Sequence, residues 1–175
     1  MTISSFDDIR ALMATMPHAD SAAIEAAQAR DGQLTKPPGS LGKLEHLALW
    51  LAAWQGRNPP RAQDIQFLVF AGNHGVTAQG ISAFPAEVTV QMVANFQHGG
   101  AAINQLARLA GAELTVIPLE LEKPTGDFCA GPAMSEAETC AAFQTGFEAV
   151  SKGDLCCIGE MGIGSGIVYD SDPAQ

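Results

Sequence analysis

Apolar residues recur at helical spacing through the first third of the chain. Phe6, Ile9, Leu12, Met13 and Met16 mark one helix, which Pro17 closes. Asp20 is placed to cap an alanine-rich helix from Ser21 to about Arg30, with Asp31-Gly32 ending it. A third helix runs from Lys43 to about Gln55, with Leu44, Leu47, Leu51 and Trp54 on one face. Between the second and third lies Leu34-Thr-Lys-Pro-Pro-Gly-Ser-Leu-Gly42, a turn-rich loop, and Gly56-Arg-Asn-Pro-Pro60 is a second break.

After that break the period changes. Ile65-Gln-Phe-Leu-Val-Phe-Ala71 is a nearly continuous apolar run, as expected of a strand buried on both faces. Pro85 to about Ala110 is helical in pattern; Pro85 suits a first turn, and Gly99-Gly100 bends or splits the helix. Glu113-Leu-Thr-Val-Ile-Pro118 is a second strand. Ser135 and Glu138 form a capping box before a helix carrying Phe143, Phe147 and Val150, and Asp154 to Ile158 is a third strand. The order from Ile65 is therefore β-α-β-α-β. Helical crossovers between short buried strands predict a parallel sheet with right-handed connections. The expected fold is α/β: a Rossmann-like parallel sheet with helices on both faces, plus an N-terminal helical layer. Residues 1–60 form the helical segment and 61–175 a partial α/β domain.

Composition narrows the function. The chain has 175 residues, 47% of them hydrophobic, enough for one domain with a real core. No run of 18 apolar residues occurs, so no membrane span is expected. Nine Lys and Arg against 19 Asp and Glu give a net charge of −10, the wrong sign for an electrostatic nucleic-acid binder. Any phosphate must be held locally, by backbone N–H groups and one or two cations. The four cysteines form no CxxC pair; vicinal Cys156 and Cys157 would point to opposite faces of a strand and read as small core residues. His18, His46 and His98 have no metal-site spacing and the cysteines supply none, so no metal is expected; no cofactor is expected either. The N-terminal stretch carries Asp7 and Asp8 and lacks the basic-then-apolar pattern of a signal peptide, which predicts a cytoplasmic protein.

In open parallel sheets, ligands gather at the carboxyl ends of the strands. Gly72-Asn-His-Gly75 and Gly159-Glu-Met-Gly-Ile-Gly-Ser-Gly166 occupy those places. The second is read either as a plain glycine turn or as a nest of N–H groups for a phosphate. It matches neither the P-loop nor the GxGxxG pattern. Glu160 inside it would repel a phosphate and suits an electron-poor part of a substrate. His74 is read as a structural hydrogen-bonding residue or a catalyst. The loop Lys36-Pro37-Pro38-Gly39-Ser40 is read as a stiff connector or a preorganised binding loop. Ser82 and Phe84 are, by themselves, a helix entry, and Gln91 is read as a solvated side chain or as one that reaches a ligand over the sheet.

Taken together, Thr35–Glu45, Phe70–Val76, Ile81–Val93, Asn95–Asn104 and Gly159–Gly164 resemble the nicotinate-nucleotide–dimethylbenzimidazole phosphoribosyltransferase family, in that family's order. The resemblance implies phosphoribosyl transfer from nicotinate mononucleotide to 5,6-dimethylbenzimidazole, giving α-ribazole 5′-phosphate and nicotinate in cobalamin lower-ligand synthesis. It implies Glu160 as the carboxylate beside the oxocarbenium-like carbon. The donor phosphate would fall to Gly162, Ile163 and Gly164, and the base to Ser82, Phe84, Gln91 and Met161. Lys36 to Ser40 and His74 would complete substrate binding, in a homodimer.

Two departures from the family stand out. Asn73 replaces an Asp of the family pattern, and after Gly164 the sequence Ser165-Gly-Ile-Val-Tyr-Asp-Ser-Asp-Pro-Ala-Gln175 replaces Asn-Thr-Thr and a stretch about as long as this chain. The absent portion would hold further strands and the glutamate that takes the acceptor's proton. A chain of this span is expected to associate or to be poorly stable. It is expected to act as the transferase or, alternatively, as a binding module without turnover; an unrelated nucleotide-binding α/β protein is the third reading.

Overall fold

Three of the helices begin at side-chain caps, two of them, at Asp20 and Ser135, expected from the sequence. In the computed structural model, which describes residues 2–151 and 153–165, α1 runs Phe6–Ala14 from a complete Ser5–Asp8 capping box. It stops two residues short of Met16. Helix α2 (Ser21–Asp31) starts at Asp20, whose carboxylate accepts the Ala23 N–H at 3.0 Å. Helix α3 (Lys43–Gln55) ends at Gly56, which takes the left-handed conformation.

Helices α2 and α3 pack together through alanines: Ala23 and Ala27 are the buried residues of one, Ala52 and Ala53 of the other. The face of α3 expected to be inward is not. Leu44, Leu47 and Trp54 are exposed and Leu51 is half-buried. A helix buries whichever face finds a partner, and the small alanine side of α2 selects the alanine side of α3.

Strands β1 (Ile65–Ala71) and β2 (Glu113–Pro118) have the bounds the sequence predicts. The segment between them splits at Gly99, φ 78°, into α4 (Glu87–Gln97) and α5 (Ala102–Ala110), both packed against β2. Helix α6 (Glu136–Ala149) opens on the Ser135–Glu138 capping box. Helix α1 docks there. The Ile3 N–H donates to Gln144 Oε1 at 2.8 Å and the Phe6 N–H to Glu136 Oε1 at 2.7 Å.

Strand β3 (Leu155–Met161) completes a parallel sheet of order β2-β1-β3, flanked by helices. It runs three residues beyond the expected Ile158, because Val69, Phe70 and Ala71 of β1 pair with Gly159, Glu160 and Met161. The length of β1 sets the length of β3, and Glu160 belongs to the strand rather than to the loop after it. The core centres on β1, where Leu68, Val69 and Ala71 are buried. Among the described residues no helix is long and apolar enough to cross a membrane.

Candidate active site at the strand ends

Parallel pairing brings the loops after β1 and β3 side by side. The Gly72 N–H donates to the Met161 carbonyl at 3.0 Å, continuing the ladder one step past β1. The chain then turns through Asn73 and His74 into a 3₁₀ turn, Gly75–Gln79. A Cβ at Gly162 would lie 2.3 Å from the Gly72 carbonyl oxygen and 3.2 Å from His74 Nε2. Only glycine lets the two loops approach so closely. Gly164 has φ +95°, and a Cβ there would meet Thr77 and the His74 side chain. Gly166, the last glycine of the run, lies outside the described residues.

The loop after β3 is anchored from below. The Ile163 N–H donates to Thr89 Oγ1 of α4 at 3.2 Å, and that threonine is fully buried. The Ser165 hydroxyl donates to the Gly162 carbonyl at 2.6 Å. The Ile163 N–H therefore points into the protein, so the local donors left for a ligand come from the glycines. Glu160 sits one residue before the strand ends, opposite Phe70, and is exposed. Alternation places it on the same sheet face as Ile158.

The far wall is the loop after β2, to which the sequence motifs assign no role. The Leu119 N–H donates to Ala71 O at 2.7 Å, the Thr125 N–H to Asn73 O at 3.1 Å, and Asn73 Nδ2 to Leu121 O at 2.9 Å. An aspartate at position 73 could not donate to Leu121 while ionised, so Asn73 ties together two strand ends that a carboxylate would push apart. Asn73 is buried, and its Oδ1 has no partner among the described residues. Such an atom costs about 1–3 kcal/mol unless a donor meets it.

Ser82 and Phe84 share a shallow groove of about 520 Å³ with Thr77, between the 3₁₀ turn and α4. The Phe84 N–H donates to Ser82 Oγ at 3.1 Å, leaving the ring exposed. Because a Cβ added at Gly164 would lie 3.0 Å from Thr77 Cγ2, this groove adjoins the glycine loop. Gln91 is exposed on α4.

Lys36 is differently employed from the free cation a phosphate loop would want. Its ammonium lies 2.6 Å from Glu45 Oε1 and 3.1 Å from Asp31 Oδ2, and it is largely buried. The Glu45 hydrogen bond, helped by Asp31, raises its pKa despite the burial. The same ion pair, together with the Leu41 N–H, holds Glu45 below the ordinary carboxylate range. Glu45 thus clamps both ends of the loop, while Pro37, Pro38, Gly39 and Ser40 stay exposed with Gly39 at φ 73°. Neither carboxylate partner was singled out from the sequence. Their spacings of five and nine residues from Lys36 match no helical or strand period, so only the folded loop brings them together.

The cysteines stay free. Cys140 is buried, Cys156 and Cys157 half-buried, and Cys129 is exposed, so the core reading fits Cys140 best. Burial pushes the Cys140 and Cys156 thiols up, away from reactive thiolates. Among the described residues no three His, Cys, Asp or Glu side chains converge as a metal site.

Fold and site define a Rossmann-like α/β protein in which three loops converge at the carboxyl ends of a parallel sheet around a glycine turn. A family model described as phosphoribosyltransferase matches residues 16–168. The chain belongs to that family. It is 58% identical over 166 residues to the nicotinate-nucleotide–dimethylbenzimidazole phosphoribosyltransferase of Mesorhizobium japonicum, covering 94% of this chain and 49% of that protein. The protein of the same name from Roseobacter denitrificans is 58% identical over 163 residues, 93% of this chain and 48% of its own length. Among solved structures, CobT from Thermus thermophilus aligns with a TM-score of 0.65 at 40% identity, over 82% of this chain and 49% of that one. The chain spans about half the length of the curated relatives it matches.

Proposed function

We propose that this chain carries the donor side of a phosphoribosyl-transfer site, acting on nicotinate mononucleotide and 5,6-dimethylbenzimidazole to give α-ribazole 5′-phosphate and nicotinate. The observation that carries the reading is the pairing of an exposed carboxylate, Glu160, with a glycine turn two residues later. That turn is packed against His74 so tightly that no side chain fits. The names of the relatives support the substrates. As the glycosidic bond breaks, nicotinate leaves with its electron pair and positive charge grows on the ribose carbon, where the Glu160 carboxylate stabilises it. The unprotonated ring nitrogen of the base then gives its lone pair to that carbon, and the proton on the other ring nitrogen passes to a general base, leaving a neutral product. Gly162 and Gly164 offer the 5′-phosphate backbone N–H groups, and Ser82, Phe84, Gln91 and Met161 border the base.

The remaining expectations stand with this reading: two units at 1–60 and 61–175, a homodimer, a cytoplasmic setting, and no nucleic-acid partner given the net charge of −10. Lys36 acts through the loop it clamps, presenting Pro37 to Ser40.

The test is nicotinate release from nicotinate mononucleotide, with and without dimethylbenzimidazole, for this chain and for Glu160→Gln. Acceptor-dependent release that falls by about 10²-fold or more in the variant, with circular dichroism unchanged, is the expected result. Equal rates would remove Glu160 from the mechanism. The second reading is a donor-binding module. No release from either protein, with donor binding still measured by calorimetry, would establish it.

A further inference from the structure

The loop after β2 belongs to no motif, yet it braces the turn that follows His74. It is seated on that segment at successive places. The Leu119 N–H donates to the Ala71 carbonyl and the Thr125 N–H to the Asn73 carbonyl. Thr125, Gly126 and Asp127 then run so close to Gly75 that a Cβ there would overlap the backbone of all three. At the far end of the 3₁₀ turn, Gln79 Nε2 donates to the Asp127 carboxylate. The turn is thus held at both ends. Its other side meets the glycine loop: a Cβ at Gly164 would lie 3.0 Å from Thr77 Cγ2, and one at Gly162 would lie 3.2 Å from His74 Nε2.

The Asn73 side chain joins this brace to the strand end. Its Nδ2 donates to the Leu121 carbonyl at 2.9 Å, inside the same loop, and its Oδ1 is buried with no partner among the described residues. The residue as a whole is 6% exposed. These surroundings suit an amide and not an acid. An ionised carboxylate would set one oxygen against the Leu121 carbonyl and leave the other out of water without a hydrogen-bond donor. The titratable groups on the elements around it are His74 in its own loop, Glu120, Glu122, Lys123 and Asp127 in the loop after β2, and Glu160 in β3. The amide bonds none of them.

We propose that Asn73 is a positioning residue for the donor site. Its neutral amide seats the loop after β2, that loop holds the Gly75–Gln79 turn, and the turn fixes the glycine loop that receives the donor phosphate. The consequence for the ligand rests on the donor-site reading above; the seating of the loops does not. Charge at position 73 is what separates this role from simple space-filling. In Asn73→Asp the protonated carboxyl can still donate to Leu121 and the ionised one cannot, so burial raises its folded pKa. A raised folded pKa keeps the contact at low pH and loses it as pH rises through that value.

The experiment compares the 175-residue chain with Asn73→Asp and Asn73→Ala at pH 5.5 and pH 8. Hydrogen exchange reads the protection of the Thr125 and Ile163 amides, each rate taken relative to its intrinsic value at that pH. Calorimetry reads the binding of nicotinate mononucleotide relative to the parent. The parent should protect both amides equally at the two pH values. In Asn73→Asp, both protections and the donor affinity should fall about tenfold or more at pH 8 and return to within about twofold of the parent at pH 5.5. Asn73→Ala, which cannot donate at any pH, should stay low at both. Protection equal to the parent's in Asn73→Asp at pH 8, or a loss that pH 5.5 does not restore, overturns the inference. So does loss of protection at Thr125 with Ile163 unaffected, since the brace would then not reach the glycine loop. Should circular dichroism show Asn73→Asp unfolded at pH 8, Asp127→Ala decides: it frees the far end of the turn and should lower Ile163 protection, and an unchanged value overturns the inference. A parent that binds no donor overturns the donor-site reading instead, and the two amides still decide the positioning.

Discussion

A methyl group at position 162 would sit 2.3 Å from the carbonyl oxygen of Gly72, a distance that side-chain relaxation cannot relieve because the obstacle is backbone. Gly162→Ala must therefore separate the loops after β1 and β3 or distort both. Overpacking of this kind costs about 1–3 kcal/mol, and urea unfolding should show a loss in that range. Donor binding measured by calorimetry should fall with it. A variant as stable and as tightly binding as the parent would show that the contact is not required. The glycine itself was legible in the sequence as part of a turn after a strand. Its neighbour was not: Gly72 is ninety residues away, and only the parallel register of β1 with β3 brings the two together. Thr89 was invisible for a related reason. A threonine between valines on a helix carries no signal, yet its hydroxyl is the buried anchor of the Ile163 N–H.

Elements whose signals are local were read with the right bounds. The α6 N-terminus is one: Ser135 Oγ accepts the Glu138 N–H, and the Glu138 carboxylate accepts the Ser135 N–H at 2.9 Å. That reciprocal bond, with Lys123 at 2.9 Å, holds the Glu138 pKa down at about 2, against an ordinary 4.5. A depressed pKa contributes stability that is complete above the ordinary value and is lost as pH falls toward the folded one. Protection of the first-turn amides of α6, with each exchange rate taken relative to its intrinsic rate at that pH, should therefore fall as pH drops from about 5 to 2, and Glu138→Gln should flatten that dependence. Protection independent of pH in the parent would sink the assignment. Element ends set by a neighbour were misread, as β3 shows. Its own sequence suggests a turn at Gly159, but β1 keeps pairing through Ala71 and carries the strand to Met161.

Over the whole molecule, burial concentrates on the central strand. Leu68, 1% exposed, is the largest apolar side chain fully enclosed by the sheet and its helices. Leu68→Ala should cost about 2–5 kcal/mol by urea denaturation, a large share of the roughly 5–15 kcal/mol typical of a domain. A loss below about 1 kcal/mol would mean that this core collapses around the cavity or was never tightly packed. By itself the sequence determined the caps at Asp20 and Ser135, the strands β1 and β2, the parallel α/β class, the net negative charge and the family, because each depends on residues close in the chain or on motifs that survive intact. Tertiary structure decided which face of α3 is inward, where β3 ends, that Lys36 is neutralised by Asp31 and Glu45, and that Asn73 bridges two strand ends. Each of these is a choice among partners distant in sequence. Periodicity tells a helix which face is apolar, but only packing tells it whether anything is there to cover that face.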